Sequence, residues 1–403
     1  MKPDSQTSRF LRLAALLLAL GCSPLAWSAA RYKVLHNFDL EKDGPPFGPL
    51  LLDGSGNLYG NTTVTTFELT SRAGGRWSEK TLHQFSLQEG MAWGALISDT
   101  WGNLYGTTQG AVKDSGVFEL SPSPTGWDFS PIYTDGAGPG VAIDGLGNLY
   151  GEIGPGDYYG AGAIGELSPG SDGWNYTQLY SFCSGNSCPD GVDPPAPPIW
   201  DGKGNLFDTT TEGGIYQGCW MYTEGCGVIY EMTPSGDGTW TYYVLHRFLE
   251  HSSKDGQSPY SGLVMDKAGS FYGATWVGGQ YNHGTVFKLA YTGGKWKETI
   301  LYDFPNCAYG CMVEGTLALD KSGNLYGTAA GGTGNCGYAC GVVFKLSPQK
   351  DDKWKYSVVF DLTPETGGVQ PYYGVIVDDK GHLFGVTSSF GKYGGGTAFE
   401  IIP

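Results

Sequence analysis

The stretch "DKSGNLYG" at residues 320–327 decides the fold. Taken alone it suits a cation or phosphate loop, because it joins an acid, a lysine and two glycines. It is not alone. "DGSGNLYG" begins at Asp53, "DTWGNLYG" at Asp99 and "DGLGNLYG" at Asp144. More diverged copies begin at Asp201, Asp266 and Asp378, as "DGKGNLFD", "DKAGSFYG" and "DDKGHLFG". Successive aspartates stand 45 to 65 residues apart, a period that belongs to propellers, solenoids or arrays.

Each copy sits in a larger unit with four strand signals. An apolar run such as "GTLALD" at 315–320 leads into the aspartate, and "GNLYGTA" follows as a second strand. A third reads "GVVFKLSP" at 341–348, matched by "GVFELSP" at 116–122. The fourth begins with Trp, as in "WKETILYDF" at 296–304. Four short strands per unit predict a blade of an all-β propeller. The first three signals occur seven times. The fourth also occurs seven times, but its first copy, "YKVLHNF" at 32–38, precedes every blade. The sequence therefore predicts a seven-bladed propeller of four-stranded blades over residues 31–403, one domain, with the N-terminal strand completing the last blade. Closure removes an exposed sheet edge. The repeated motif needs no ligand: Asp bonds the backbone two residues on, and Gly tolerates the turn.

The paired units "GNLYGTT" and "GTVFKLSP" resemble the GloVer tandem repeat of exported, choice-of-anchor bacterial proteins. The resemblance covers nearly all of the chain beyond residue 30. It implies a repeat protein without catalytic residues that can be carried over. Some members end in a sorting segment, whereas this sequence stops after a strand.

Lys2, Arg9 and Arg12 precede an apolar run from Leu13 to Leu20, and small residues follow in "LAWSAAR" at 25–31. This order describes a signal peptide over residues 1–30, too short to span a bilayer, and predicts a secreted or periplasmic protein. The rival is lipid anchoring at Cys22, disfavoured by Arg12 so close to the apolar run. The formal net charge of −16 argues against nucleic acid or an anionic membrane as partner. No second long apolar segment occurs, so no membrane insertion is expected after signal removal, and the expected state is a monomer. The remaining cysteines form close pairs, Cys183 with Cys188, Cys219 with Cys226, Cys307 with Cys311 and Cys336 with Cys340. In an exported chain these read as disulfides. A four-thiolate zinc site from the last four is the alternative.

In a propeller the long connections share the face opposite the Asp turns, and long loops on a rigid scaffold are where binding concentrates. Six residues before each aspartate stand Phe47, Trp93, Gly138, Pro195, Tyr260, Glu314 and Tyr372. They are expected to ring the channel mouth. Phe47, Trp93, Tyr260, Glu314 and Tyr372 are the candidate ligand-binding residues, because aromatics beside a carboxylate suit a sugar or a peptide side chain. The plain alternative is that they plug the ring. Three acids depart from the repeat: Glu152, Asp208 and Glu212. They are the only catalytic candidates, for glycosidic acid–base chemistry, or ligands for calcium. On so acidic a chain the plain reading is solvated surface acids. No HExxH, G-x-S-x-G or Walker motif is present, and "GTGNCG" at 332–337 lacks a following helix. His36, His83 and His246 share a fourth-strand position with Tyr180 and Tyr302, which reads as packing.

These observations favour a non-catalytic scaffold that binds a glycan or protein through the long-loop face, with no cofactor beyond a possible calcium ion. The alternatives are an extracellular polysaccharide hydrolase or lyase, and a structural envelope component.

Overall fold

The computed structural model describes residues 30–110, 115–154, 161–183, 188–214, 225–249, 255–332 and 340–403. Residues 1–29 of the expected signal peptide, and with them Cys22, lie outside this set, as do Cys219 and Cys336. The described residues form a seven-bladed β-propeller. Blades 1 to 6 span residues 51–84, 91–133, 137–181, 199–247, 264–303 and 318–362, each a four-stranded antiparallel sheet in chain order from axis to rim. Blade 6, for example, runs Ala318–Leu319, Leu325–Ala330, Gly341–Pro348 and Trp354–Leu362.

Blade 7 takes its outer strand from the other end of the chain. Its order is Val375–Val377, Leu383–Thr387, Gly394–Ile402, then Arg31–Asp39. Arg31 lies opposite Ile402 in an antiparallel ladder. The ring is thus closed by the N-terminal strand, as the strand count requires.

The repeat has a stereochemical reason at each position. Asp320 Oδ1 accepts from the backbone N–H groups of Ser322 and Asn324 at 2.9 and 2.8 Å. Its Oδ2 accepts from Asn324 Nδ2 at 2.7 Å and from the Tyr326 hydroxyl at 3.2 Å. Asp53, Asp99 and Asp144 repeat all four contacts. Asn and Tyr of the motif are therefore partners of the aspartate, which ties the turn to the strand behind it. Burial alone would raise the Asp320 carboxyl, but these bonds hold it below the usual range. The motif's last glycine lies opposite a third-strand phenylalanine, as Gly327 opposite Phe344. A methyl group on Gly327 would stand 2.6 Å from that ring. Gly60, Gly106, Gly273 and Gly385 meet Phe67, Phe118, Phe287 and Phe399 in the same way.

The apolar core is distributed into seven clusters, one at each seam between neighbouring blades. In each blade the ladder between third and fourth strands breaks register at one equivalent place, Leu35, Leu82, Ile132, Leu179, Leu245, Leu301 and Val359, and in blade 7 it breaks again between Asn37 and Asp39. Such a bulge re-aims the residue that follows. That residue is His in three blades, Tyr in three and Phe360 in blade 6, and at five seams its ring packs on the next blade's outer strand. Tyr302 stacks on Tyr356 at 4.2 Å, Tyr180 on Tyr242 at 4.2 Å and His83 on Phe129 at 4.1 Å. Among the described residues no helix is long and apolar enough to cross a membrane.

Candidate functional site: the axial cavity and the acids behind it

The inner strands run away from the long-loop face toward the Asp turns, so the residues that precede them collect around the axis. Phe47, Trp93, Pro195, Tyr260, Glu314 and Tyr372 all line one cavity of about 770 Å³. Gly138 contributes through its neighbour Pro139. The ring is therefore open at this level and not plugged by its own side chains. The neighbouring backbones are pinned to each other: Gly94 N–H donates to the Phe47 carbonyl at 2.9 Å. Gly94 has φ +77, and a side chain there would run into the Pro139 carbonyl.

The aromatic wall is ordered by mutual packing. Phe47 packs on Tyr373 at 5.7 Å, Tyr372 on Tyr373 at 6.4 Å and Tyr260 on Trp276 at 5.6 Å. Tyr373 also lines the cavity and was not among the sequence candidates, because it falls one residue outside the ring position. Two carboxylates join this wall, Glu314 and Asp193. Burial pushes the Glu314 carboxyl up to about 7, against a hydrogen bond from Trp276. Asp193 is raised by burial, partly offset by the Thr211 hydroxyl that donates to its Oδ2 at 3.3 Å.

Glu152 and Asp208 are not the solvated acids that the chain's charge suggests. Glu152 fills the slot that Gly138 leaves open at the ring position: a methyl group on Gly138 would lie 2.4 Å from its Oε2, and one on Gly162 2.5 Å from its Oε1. Burial, and then the charge of Asp193, pushes Glu152 up to about 8. Asp208 is 1 % exposed, and neither of its oxygens has a hydrogen-bond partner. It stands where other blades have the motif glycine, and it lies opposite Tyr230, which replaces the phenylalanine. Blade 4 has exchanged a Gly–Phe pair for Asp–Tyr. Burial holds Asp208 well above the usual carboxylate range, reinforced by the charge of Glu152. Tyr230 is likewise raised, by burial first and then by Asp208.

A file of acids thus leads from Asp193 at the cavity wall to Glu152 and Asp208 in the seam of blades 3 and 4. Glu212 is fixed by its backbone, whose N–H and carbonyl form a bridge with Val192, and the carbonyl also accepts from Thr210 Oγ1. Glu152, Asp208 and Glu212, weighed above for calcium, do not bring ligand atoms to metal spacing. The group that does so among the described residues is His246, Asp255 and Glu298, elsewhere in the ring.

Disulfides join Cys183 to Cys188 and Cys307 to Cys311. Cys226 and Cys340 are disulfide-bonded too, and their expected partners Cys219 and Cys336 lie outside the described residues. Gly191 N–H and Gly214 N–H both donate to the Cys188 carbonyl, at 3.2 and 2.9 Å, which seats the bridged loop against the chain leading from Thr211. The disulfides fit an extracellular or periplasmic protein.

Residues 220–403 match the family model of the Gloeobacter/Verrucomicrobia repeat. This part of the chain belongs to that repeat family. Blades 1 to 3, outside the matched residues, have the same strand order and the same Asp turns. No curated protein matches the chain. Solved structures resemble it in fold. Virginiamycin B lyase from Staphylococcus aureus is 11% identical with a TM-score of 0.53, covering 93% of this chain and 99% of its own. PorZ from Porphyromonas gingivalis is 15% identical with a TM-score of 0.50, covering 87% of this chain and 46% of its own. A putative 6-phosphogluconolactonase from Bacteroides uniformis is 12% identical with a TM-score of 0.50, covering 86% and 90%. At these identities the similarity is one of architecture.

Proposed function

We propose that the chain is an extracytoplasmic, non-catalytic propeller that binds a glycan in its axial cavity. One observation carries the reading: side chains from the same repeat position in six blades converge on a single concave space of about 770 Å³. That volume suits a small or oligomeric ligand better than a protein surface. Trp93, Tyr260 and Tyr372 offer flat faces for the C–H side of a sugar ring. Glu314, pushed up to about 7 by burial, can donate as well as accept hydrogen bonds to hydroxyl groups, and Asp193, raised in the same direction, stands on the same wall.

The test is an oligosaccharide binding screen with Trp93→Ala and Tyr260→Ala beside the parent. Retention that drops about tenfold or more in either variant, with unchanged melting temperature, supports the reading. Equal retention in all three proteins, or none in the parent, sinks it.

A hydrolytic or lyase reading is favoured by the acid file alone, since Glu152 carries its proton at neutral pH and could act as a general acid. It requires new reducing ends or unsaturated products from a polysaccharide, abolished by Glu152→Gln. Binding without such products supports the scaffold.

A further inference from the structure

The seams between blades follow one rule with two exceptions. At five seams the residue after the bulge packs on an aromatic ring of the next outer strand, four stacked and one tilted: His83 on Phe129, Tyr180 on Tyr242, Tyr302 on Tyr356 and Phe360 on Tyr32, and Tyr133 tilted on Tyr176, at 4.1 to 4.9 Å. At the other two the corresponding residues are His36 with Glu79, and His246 with Glu298. A glutamate has replaced the ring in both. The seam of blades 4 and 5 adds a third group from the connection between the blades, where Asp255 Oδ2 lies 3.1 Å from His246 Nε2. One ligand atom from each of His246, Asp255 and Glu298 lies within 4.8 Å of the others.

Hydrogen bonding explains part of this arrangement. Asp255 is placed by the backbone N–H groups of Leu249 and Gly256, at 3.2 and 2.9 Å. The loop acids Glu89 and Asp190 accept backbone N–H groups in the same way at their own seams, and Asp190 also accepts the Tyr180 hydroxyl. An acid facing the post-bulge residue is therefore part of the scaffold. Glu298 is not. Its Oε1 is buried with no hydrogen-bond partner, and it faces a second carboxylate where an aromatic ring would pack without electrostatic cost. A group that supplies positive charge to both carboxylates and accepts the imidazole nitrogen resolves that conflict.

We propose that His246, Asp255 and Glu298 form a binding site for a divalent transition-metal ion of the zinc class, which clips the outer strands of blades 4 and 5 together. One imidazole nitrogen with two carboxylate oxygens is a donor set that zinc accepts, at bonds of about 2.0–2.2 Å. His246 and Asp255 already stand at the separation of two neighbouring ligands. Glu298, within 4.8 Å of both, has to close to the roughly 3.4 Å that separates neighbouring ligands at such bond lengths. Calcium is a poor occupant, because it takes oxygen donors. Three protein ligands leave a coordination position for water or an outside group.

The experiment is calorimetric titration of the disulfide-intact protein with zinc chloride at about pH 7.5, with calcium chloride in parallel. One zinc ion per chain, bound at about 10 μM or tighter and at least tenfold more tightly than calcium, is the expected result. Glu298→Gln should weaken zinc at least tenfold. The double variant His246→Tyr with Glu298→Tyr installs the Tyr–Tyr stack of neighbouring seams, so it should fold and lose the site altogether. His83→Tyr, at a seam that keeps its ring, should bind zinc as the parent does. Zinc binding weaker than about 100 μM, calcium binding as tight as zinc, or unchanged zinc affinity in Glu298→Gln would each overturn the assignment.

Discussion

The two ends of the inner strands use carboxylates in opposite ways. At the Asp-turn end every blade carries the same acid, which accepts a backbone N–H group of its own turn; such bonds lower Asp53, Asp266 and Asp320 below the usual range. At the cavity end the acids differ from blade to blade, and burial raises them: Glu314 up to about 7 and Glu152 up to about 8. The first group builds the fold. The second is tolerated by it. The contrast separates residues selected for architecture from residues that need another reason to be there.

The largest expected effect breaks the architectural end. Asp320→Ala removes four acceptor contacts and should cost about 3 kcal/mol, read as a lower denaturant midpoint. Next, Asp208→Gly combined with Tyr230→Phe restores the common Gly–Phe pair in blade 4. It removes three buried oxygens without partners and should raise stability by about 2 kcal/mol. A loss of stability would show that blade 4 depends on those groups.

The pH dependence sharpens the contrast further. Glu314 and Glu152 have folded-state values above their ordinary 4.5. Their stabilising contribution is complete below about pH 4.5 and is lost as pH rises through about 7 and 8. The lowered aspartates act in reverse: their contribution is present above their ordinary 3.8 and is lost as pH falls below it. Melting temperature should therefore peak near pH 4 to 5 and decline toward pH 8, by less in Glu152→Gln. The smallest effect belongs to the aromatic rim. Trp93→Ala should change stability by about 1 kcal/mol or less while it weakens ligand retention.

Periodicity made the wheel legible. Seven aspartates and seven displaced fourth strands give blade number and closure without coordinates, because every unit must repeat the same turn chemistry. The rim was legible for the same reason: once the register is known, Phe47, Trp93 and Tyr260 fall at one height. The burial of Asp208 was not. It requires knowing that the motif glycine lies beneath a phenylalanine, which is a contact between strands and leaves no mark within either one. Glu152 escaped in the same way, since the slot it occupies is made by the absent side chain of Gly138. The pairing of His246 with Glu298 is also invisible along the chain, because a bulge at Leu245 and the turn to the next blade both intervene. Reading that position as packing holds for the rings, and His36 and His246 also pack edge-on against Phe38 and Phe248; what the chain does not show is that a glutamate stands across these two seams.

The closing strand has a mechanical consequence. Arg31 faces Ile402 and Asp39 faces Gly394, so the two ends of the ring leave their shared ladder on the same side. Tension applied between them would load one rung at a time, as in a zipper, and not all rungs together in shear. A tether through one end alone would leave that seam unloaded and carry force into the rigid wheel. Pulled by both ends, the wheel would yield first at blade 7 and unroll blade by blade from there.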